Sequence, residues 1–190
     1  MFQAPLLLHP RLDAKPWGGA RLASYGFALD AGPEPLGEAL LSHGDSLVEL
    51  SHGDLIKLST LSFIDPGSFV GPMGPGVTGE RDLFPLLVKF IDGMDDLSIQ
   101  VHPDDLLARE LGEPTGKTEA WHVLAAEPGA VLYLGIADGV DPAAFFAAAQ
   151  SGDPATASML RTVPAIPGMT VLLPAGAIHA IGRGVLLYEI

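Results

Sequence analysis

The sequence predicts a mainly β protein, a β-barrel or jelly roll with short helical inserts. Three observations predict it. Short apolar runs recur along the whole chain, each bounded by Gly, Pro, Asp or Ser. The 23 Gly and 17 Pro supply the turns such spacing needs. The helix signals that occur, an acidic cap and then a closing Gly, enclose only short segments. Many strands with few, short helices fit a layered β architecture better than a bundle or an α/β fold.

Taken in order, residues 5–9 read as the first strand, within an N-terminal arm over 1–35. Trp17-Gly18-Gly19 reads as a turn, with Trp17 as a packing anchor. Residues 55–64 are apolar and suit either strand or helix. Residues 65–79, DPGSFVGPMGPGVTG, hold five Gly and three Pro. In a helix interior each Gly costs about 1 kcal/mol and each Pro about 3, so a loop is expected there. Residues 84–91 read as a strand with Lys89 embedded in it. Burying its ammonium unpaired would be costly, so an inward Lys89 calls for an anionic partner.

Residues 97–101 are the next strand, ended by Pro103, which has no N–H for a ladder. Asp104 caps a short helix over residues 105–111, and Gly112 closes it. Strands follow at 118–125 and 130–136. Asp141-Pro142 opens an Ala-rich helix over 142–150, closed by Gly152. Asp153-Pro154 repeats the signal for a second short helix reaching Arg161, which completes a helical insert over 141–161. Residues 169–173 and 185–190 are the last strands. At 190 residues, the length suits one domain.

Composition excludes several classes of function. A net charge of −13 and a pI near 4.6 disfavour nucleic acid and anionic membranes. There is no cysteine, hence no disulfide and no thiolate metal site. No apolar stretch reaches the ~18 residues of a spanning helix. Residues 1–10 lack the basic start of a signal peptide, so the cytoplasm is the expected location.

The chemistry concentrates in SIQVHPDDLLARELGEPTGKTEAWH, residues 98–122. In a strand, Gln100 and His102 would share one face, and so would Lys117, Glu119, Trp121 and Val123. His122 would lie on the opposite face from Glu119 and is expected not to be a ligand. Near the end, Pro174-Ala175-Gly176-Ala177-Ile178-His179 is a turn leading into a strand that begins with a histidine. Gln100, His102, Glu119 and His179 together offer two nitrogen and two oxygen ligands. That mixed set suits one divalent ion, zinc first, with manganese, iron, cobalt or nickel as alternatives.

Five stretches, FPLLVKFID, LSIQVHPDD, GKTEAW, LPAGAIHAIG and LLYEI, occur in this order after KPWGG at 15–19. They resemble the type I mannose-6-phosphate isomerases over most of residues 5–190. The resemblance implies a cupin fold with one divalent metal, usually zinc, held by Gln100, His102, Glu119 and His179. It implies interconversion of mannose 6-phosphate and fructose 6-phosphate, with a small sugar phosphate as partner. Lys117 matches an active-site lysine, Lys89 a lysine lining the pocket, and Glu189 a glutamate discussed as catalytic base. On the last strand, Val185, Leu187 and Glu189 share a face. Its burial would leave the carboxylate poorly solvated, as a base acting on carbon-bound protons requires.

Only ten Lys and Arg are present to meet a phosphate. Lys89 and Lys117 alone are set among apolar strand neighbours beside the metal motifs. Arg183, after the Ile181-Gly182 turn, is within reach of the mouth, while Lys15 is left in the N-terminal arm. Two departures from the family stand out. Leu40 replaces the aromatic of G-E-x-W, and members of the short bacterial form continue past the equivalent of residue 190 with a catalytic arginine motif and a second cupin-like domain. The alternative is therefore a truncated or non-catalytic sugar-binding or regulatory metal cupin. A rival chemistry, two His and one carboxylate for iron and oxygen, would use His102, Glu119 and His179 without Gln100. Gln100 and the FPLLVK and GKTE contexts favour the isomerase.

Overall fold

The computed structural model describes residues 5–27, 34–50, 52–69 and 84–190. The chain groups into two compact units, residues 1–91 with 188–190, and residues 92–187.

In the first unit, β1 (Leu7–His9), β4 (Leu47–Glu49) and β5 (Leu55–Lys57) form an antiparallel sheet in the order β1-β4-β5. Leu8, Val48 and Ile56 are opposite one another in that register, so they share a face, and they pack with Leu58 and Leu61 in one core. Leu58 and Leu61 come from α1 (Leu58–Ile64). Residues 55–64, read as strand or helix, are thus a short strand followed by a helix. β2 (Arg11–Gly19), β3 (Leu36–Ser42) and β6 (Val88–Gly93) pair in the order β2-β3-β6, and β6 ends in the second unit.

Several expectations are corrected here. Trp17-Gly18-Gly19 is the end of β2, not a turn. The ladder with β3 shifts register between Ala14 and Gly19. Gly18 serves close approach: a Cβ there would meet the Leu36 carbonyl carbon and the Gly37 nitrogen at 2.6 Å. The strand expected at 84–91 begins only at Val88, since Phe84-Pro85-Leu86-Leu87 is unpaired and Pro85 has no N–H to give. In the Gly/Pro-rich stretch 65–79, Pro66–Phe69 make a single turn, α2, with Pro tolerated at its first position. Residues 70–79 lie outside the described residues, and so does that part of the loop expectation.

In the second unit, β10 (Thr170–Leu173), β7 (Glu119–Ala126) and β12 (Val185–Glu189) are neighbours in that order, and Tyr188 and Glu189 count with the first unit. β11 (His179–Ile181), β8 (Val131–Ile136) and β9 (Leu160–Pro164) form a second antiparallel sheet. The expected mainly β class is found, as antiparallel sheets with short helical inserts; among the described residues no closed barrel forms. α3 (Asp105–Leu111) is capped by Asp104, whose carboxylate accepts from Leu107 N–H at 2.8 Å, and closed by Gly112 at φ 79°. α4 (Pro142–Ser151) carries Asp141 as cap, Pro at its start and Gly152 after it. The second helix expected to reach Arg161 stops earlier. Pro154–Met159 is a 3₁₀ turn, and Arg161 lies in β9 with its Nε donating to Leu134 O at 2.9 Å.

Candidate metal centre

β7 carries the centre's carboxylate. It alternates as its sequence predicts, with Glu119, Trp121 and Val123 buried and Ala120, His122 and Leu124 half-buried. His122 lies on the other face, with its Nδ1 hydrogen-bonded to Thr170 Oγ1 at 2.9 Å. His179 opens β11 after the turn 174–177, which Ala177 N–H closes onto Pro174 O at 3.0 Å. Gly176 takes φ 84° in that turn, where a side chain would be strained.

The strand expected at 97–101 is not regular. Leu97 donates to Ile181 O and Gln100 forms an isolated bridge with His179, but His102 lies beyond any ladder. The shared face argued for Gln100 and His102 therefore lacks its strand, although His102 still reaches the site.

His102, Glu119 and His179 come together, with one ligand atom from each within 4.8 Å of the others. His102 Nε2 is 3.8 Å from Glu119 Oε2, and His179 Nε2 is 3.1 Å from Glu119 Oε1. The His179 ring is also edge-on to Trp121 at 5.3 Å between centroids. His179 Nδ1 lies 2.9 Å from Ala177 O. A carbonyl only accepts, so this nitrogen holds the ring proton and leaves a lone pair on Nε2. Nε2 and the Glu119 oxygen it faces are then two acceptors in contact, and neither has hydrogen-bond geometry to a partner. A cation shared between them resolves the conflict. Metal–ligand bonds of about 2.0–2.2 Å in a tetrahedron put neighbouring ligand atoms roughly 3.3–3.6 Å apart, a range bracketed by the 3.1 Å and 3.8 Å separations here. The donor set fits a divalent metal.

Lys117 reaches the same carboxylate, with Nζ in contact with Glu119 Oε2. Burial pushes the Glu119 carboxyl up, but in the metal-free chain the His179 ring, which donates from Nε2 once both its nitrogens are protonated, and the Lys117 ammonium outweigh it and hold the group at about 2, against an ordinary 4.5. Gln100 is exposed, and its amide nitrogen donates to Ser98 Oγ at 3.1 Å. That bond leaves the amide oxygen, the atom that would ligate, uncommitted. Beside His102 opens a cleft of about 260 Å³ walled by Asp104, Leu107, Leu111 and Gly176.

The remaining candidates lie elsewhere. Arg183 is exposed, and its backbone N–H donates to Asp96 Oδ1 at 2.7 Å. Glu189 is buried. In the first unit Lys89 Nζ sits 2.9 Å from Glu38 Oε1 and 3.5 Å from Glu189 Oε1. The anionic partners that an inward Lys89 required are thus supplied by the chain itself. Lys15 Nζ is 3.5 Å from Glu38 Oε2. Glu38 was missed as a functional candidate. The signal was available: Glu38 is a carboxylate between Leu36 and Leu40 on the same strand face, as unusual there as Lys89 is in its own run.

No protein-family model matches the chain. The mannose-6-phosphate isomerase of Streptococcus mutans is 32% identical over 97% of this chain and 56% of its own length. The ManA mannose-6-phosphate isomerase of Bacillus subtilis is 32% identical over 100% of this chain and 58% of its own. A crystal structure of the mannose 6-phosphate isomerase from Bacillus subtilis superposes with a TM-score of 0.80 at 30% identity, covering 98% of this chain and 58% of that one. The chain thus spans 56–58% of the length of these relatives. Sequence similarity along nearly all of its residues and a shared fold agree: over a little more than half of their length, the chain resembles the mannose-6-phosphate isomerases.

Proposed function

We propose that the chain binds one divalent metal, zinc first, through His102, Glu119, His179 and Gln100, and that this centre serves the interconversion of mannose 6-phosphate and fructose 6-phosphate. The observation that carries the metal is the pair of facing acceptors, His179 Nε2 and Glu119 Oε1 at 3.1 Å, with the imidazole proton committed to Ala177. The activity is supported by the names of the relatives.

When bound, the metal supplies Lewis-acid polarisation of the sugar's oxygens. The other tasks fall to side chains. Lys117, held on Glu119, is a cation for a sugar oxygen or the phosphate. Glu189 is the base: it removes the C2 proton of mannose 6-phosphate and returns a proton to C1, with the enediol between. Lys89 and Arg183 are assigned to substrate binding, and the protein is expected in the cytoplasm. No helix among the described residues is long and apolar enough to cross a membrane.

The test is a coupled turnover assay on mannose 6-phosphate together with metal analysis of the same preparation. Turnover that disappears on chelation and returns with zinc supports the proposal. Metal retained at one ion per chain, with sugar phosphate bound but not converted, would favour a sugar-binding metal protein. Lys117→Met is expected to weaken phosphosugar binding and leave metal content unchanged. Unchanged affinity would remove Lys117 from the site.

A further inference from the structure

Three segments carry the ligands, residues 100–105, 116–119 and 174–179, and each is tied to the other two. Lys117 N–H donates to Pro103 O at 3.0 Å, and Gly116 N–H donates to Asp105 Oδ1 at 2.9 Å. Ala175 N–H donates to Thr118 Oγ1 at 3.2 Å. Gly176 N–H donates to His102 O at 2.8 Å, and Gln100 and His179 exchange backbone hydrogen bonds at 2.8 and 2.9 Å. The ties form a closed triangle, and two of them run through side chains that are not ligands.

We infer that Asp105 and Thr118 are positioning residues of the metal centre. The inference rests on the metal reading above. A metal fixes its ligands to within a few tenths of an ångström, so the segments bearing them must be held together before the ion arrives. Asp105 has no helix-capping task, because the neighbouring Asp104 takes it by accepting from Leu107 N–H. The Asp105 carboxylate instead reaches eleven residues along the chain to Gly116. Gly116 allows the approach, since a Cβ there would meet Asp105 N and Pro103 O at 2.6 Å. Thr118 is the residue before Glu119, and its hydroxyl holds the turn that delivers His179.

The test uses the full chain, stripped of metal and titrated with zinc against a chromophoric chelator. Asp105→Ala and Thr118→Val should each weaken zinc binding about tenfold or more, the range found for residues that orient ligands. Asp105→Asn and Thr118→Ser keep the acceptor atom and should restore wild-type affinity. Since Asn and Ala remove the same charge, this rescue separates the hydrogen bond from long-range electrostatics. Asp104→Ala should lower thermal stability and leave zinc affinity alone. Hydrogen exchange of the metal-free variants gives a second readout: the Gly116 amide should exchange faster in Asp105→Ala, and the Ala175 amide in Thr118→Val.

Wild-type zinc affinity in both Asp105→Ala and Thr118→Val would overturn the inference while leaving the metal reading intact. Equal losses in Asp105→Asn and Asp105→Ala, or no change at the two amides, would also overturn it. A wild-type chain that binds no zinc would sink the metal reading, and the inference with it.

Discussion

Two carboxylate sites, one in each unit, solve the same electrostatic problem differently. In the first unit, Glu38 and Glu189 meet lysines: Lys89 lies within 3.5 Å of both, and Lys15 adds to Glu38. In the second, Lys117 meets one oxygen of Glu119, while the other oxygen faces an imidazole nitrogen whose proton is elsewhere. The chain supplies the cations for one cluster and leaves a pair of facing acceptors in the other. The first should therefore stand by itself, and the second should depend on an added ion. Acidic groups alone do not make a metal site. An acceptor that no group of the protein satisfies is the more telling sign.

The largest effect expected from this contrast is on metal content. His102→Ala and His179→Ala should lose nearly all bound metal on dialysis, measured by elemental analysis. Full occupancy in His102→Ala would move the site elsewhere. Next in size is Lys89→Met, which removes the cation shared by buried Glu189 and half-buried Glu38. It should cost roughly 3 kcal/mol of stability in denaturant unfolding. That loss should be the same with and without a chelator. A loss seen only in metal-loaded protein would erase the distinction between the clusters.

A smaller, pH-dependent effect belongs to Glu119. Its carboxyl is held at about 2 in the folded chain, below its ordinary 4.5. A depressed folded value contributes stability above pH 4.5 and loses it as pH falls toward 2. In metal-free protein, the stability gap between wild type and Glu119→Gln should shrink across that window, followed by urea midpoints. A gap that is flat from pH 6 to 3 would mean that Lys117 and His179 do not stabilise the charge. The smallest effect is that of Lys15→Met. Its side chain is 35% exposed and its ion pair is long, so about 1 kcal/mol or less is expected. A loss as large as that of Lys89→Met would make Lys15 an equal member of the cluster.

Much of the candidate metal centre is legible in the sequence because short-range rules carry it. The Asp104 cap, the Gly112 stop, the alternation along β7 and the turn before His179 are all local, and each is found as its sequence reads. At residues 97–101 an apolar run with a period of two predicts a strand that the structure does not form. The structure gives that run only one bridge, opposite His179. The Trp17-Gly18-Gly19 turn failed for a related reason. A Gly pair signals either a turn or a close backbone approach, and only the partner strand, unseen in a local window, decides between them. The Lys15–Glu38–Lys89 cluster was missed because its members are far apart in sequence and meet only through the β2-β3-β6 ladder.

The central claim is that one ion is held by two imidazoles and a carboxylate. X-ray absorption at the zinc edge of the reconstituted wild-type chain tests it most directly. The predicted spectrum has two imidazole nitrogens in a shell of nitrogen and oxygen at about 2.0–2.1 Å. A shell without imidazole scattering, or one with three imidazoles, would contradict it, the latter because only His122 or another histidine outside the cluster could supply the third.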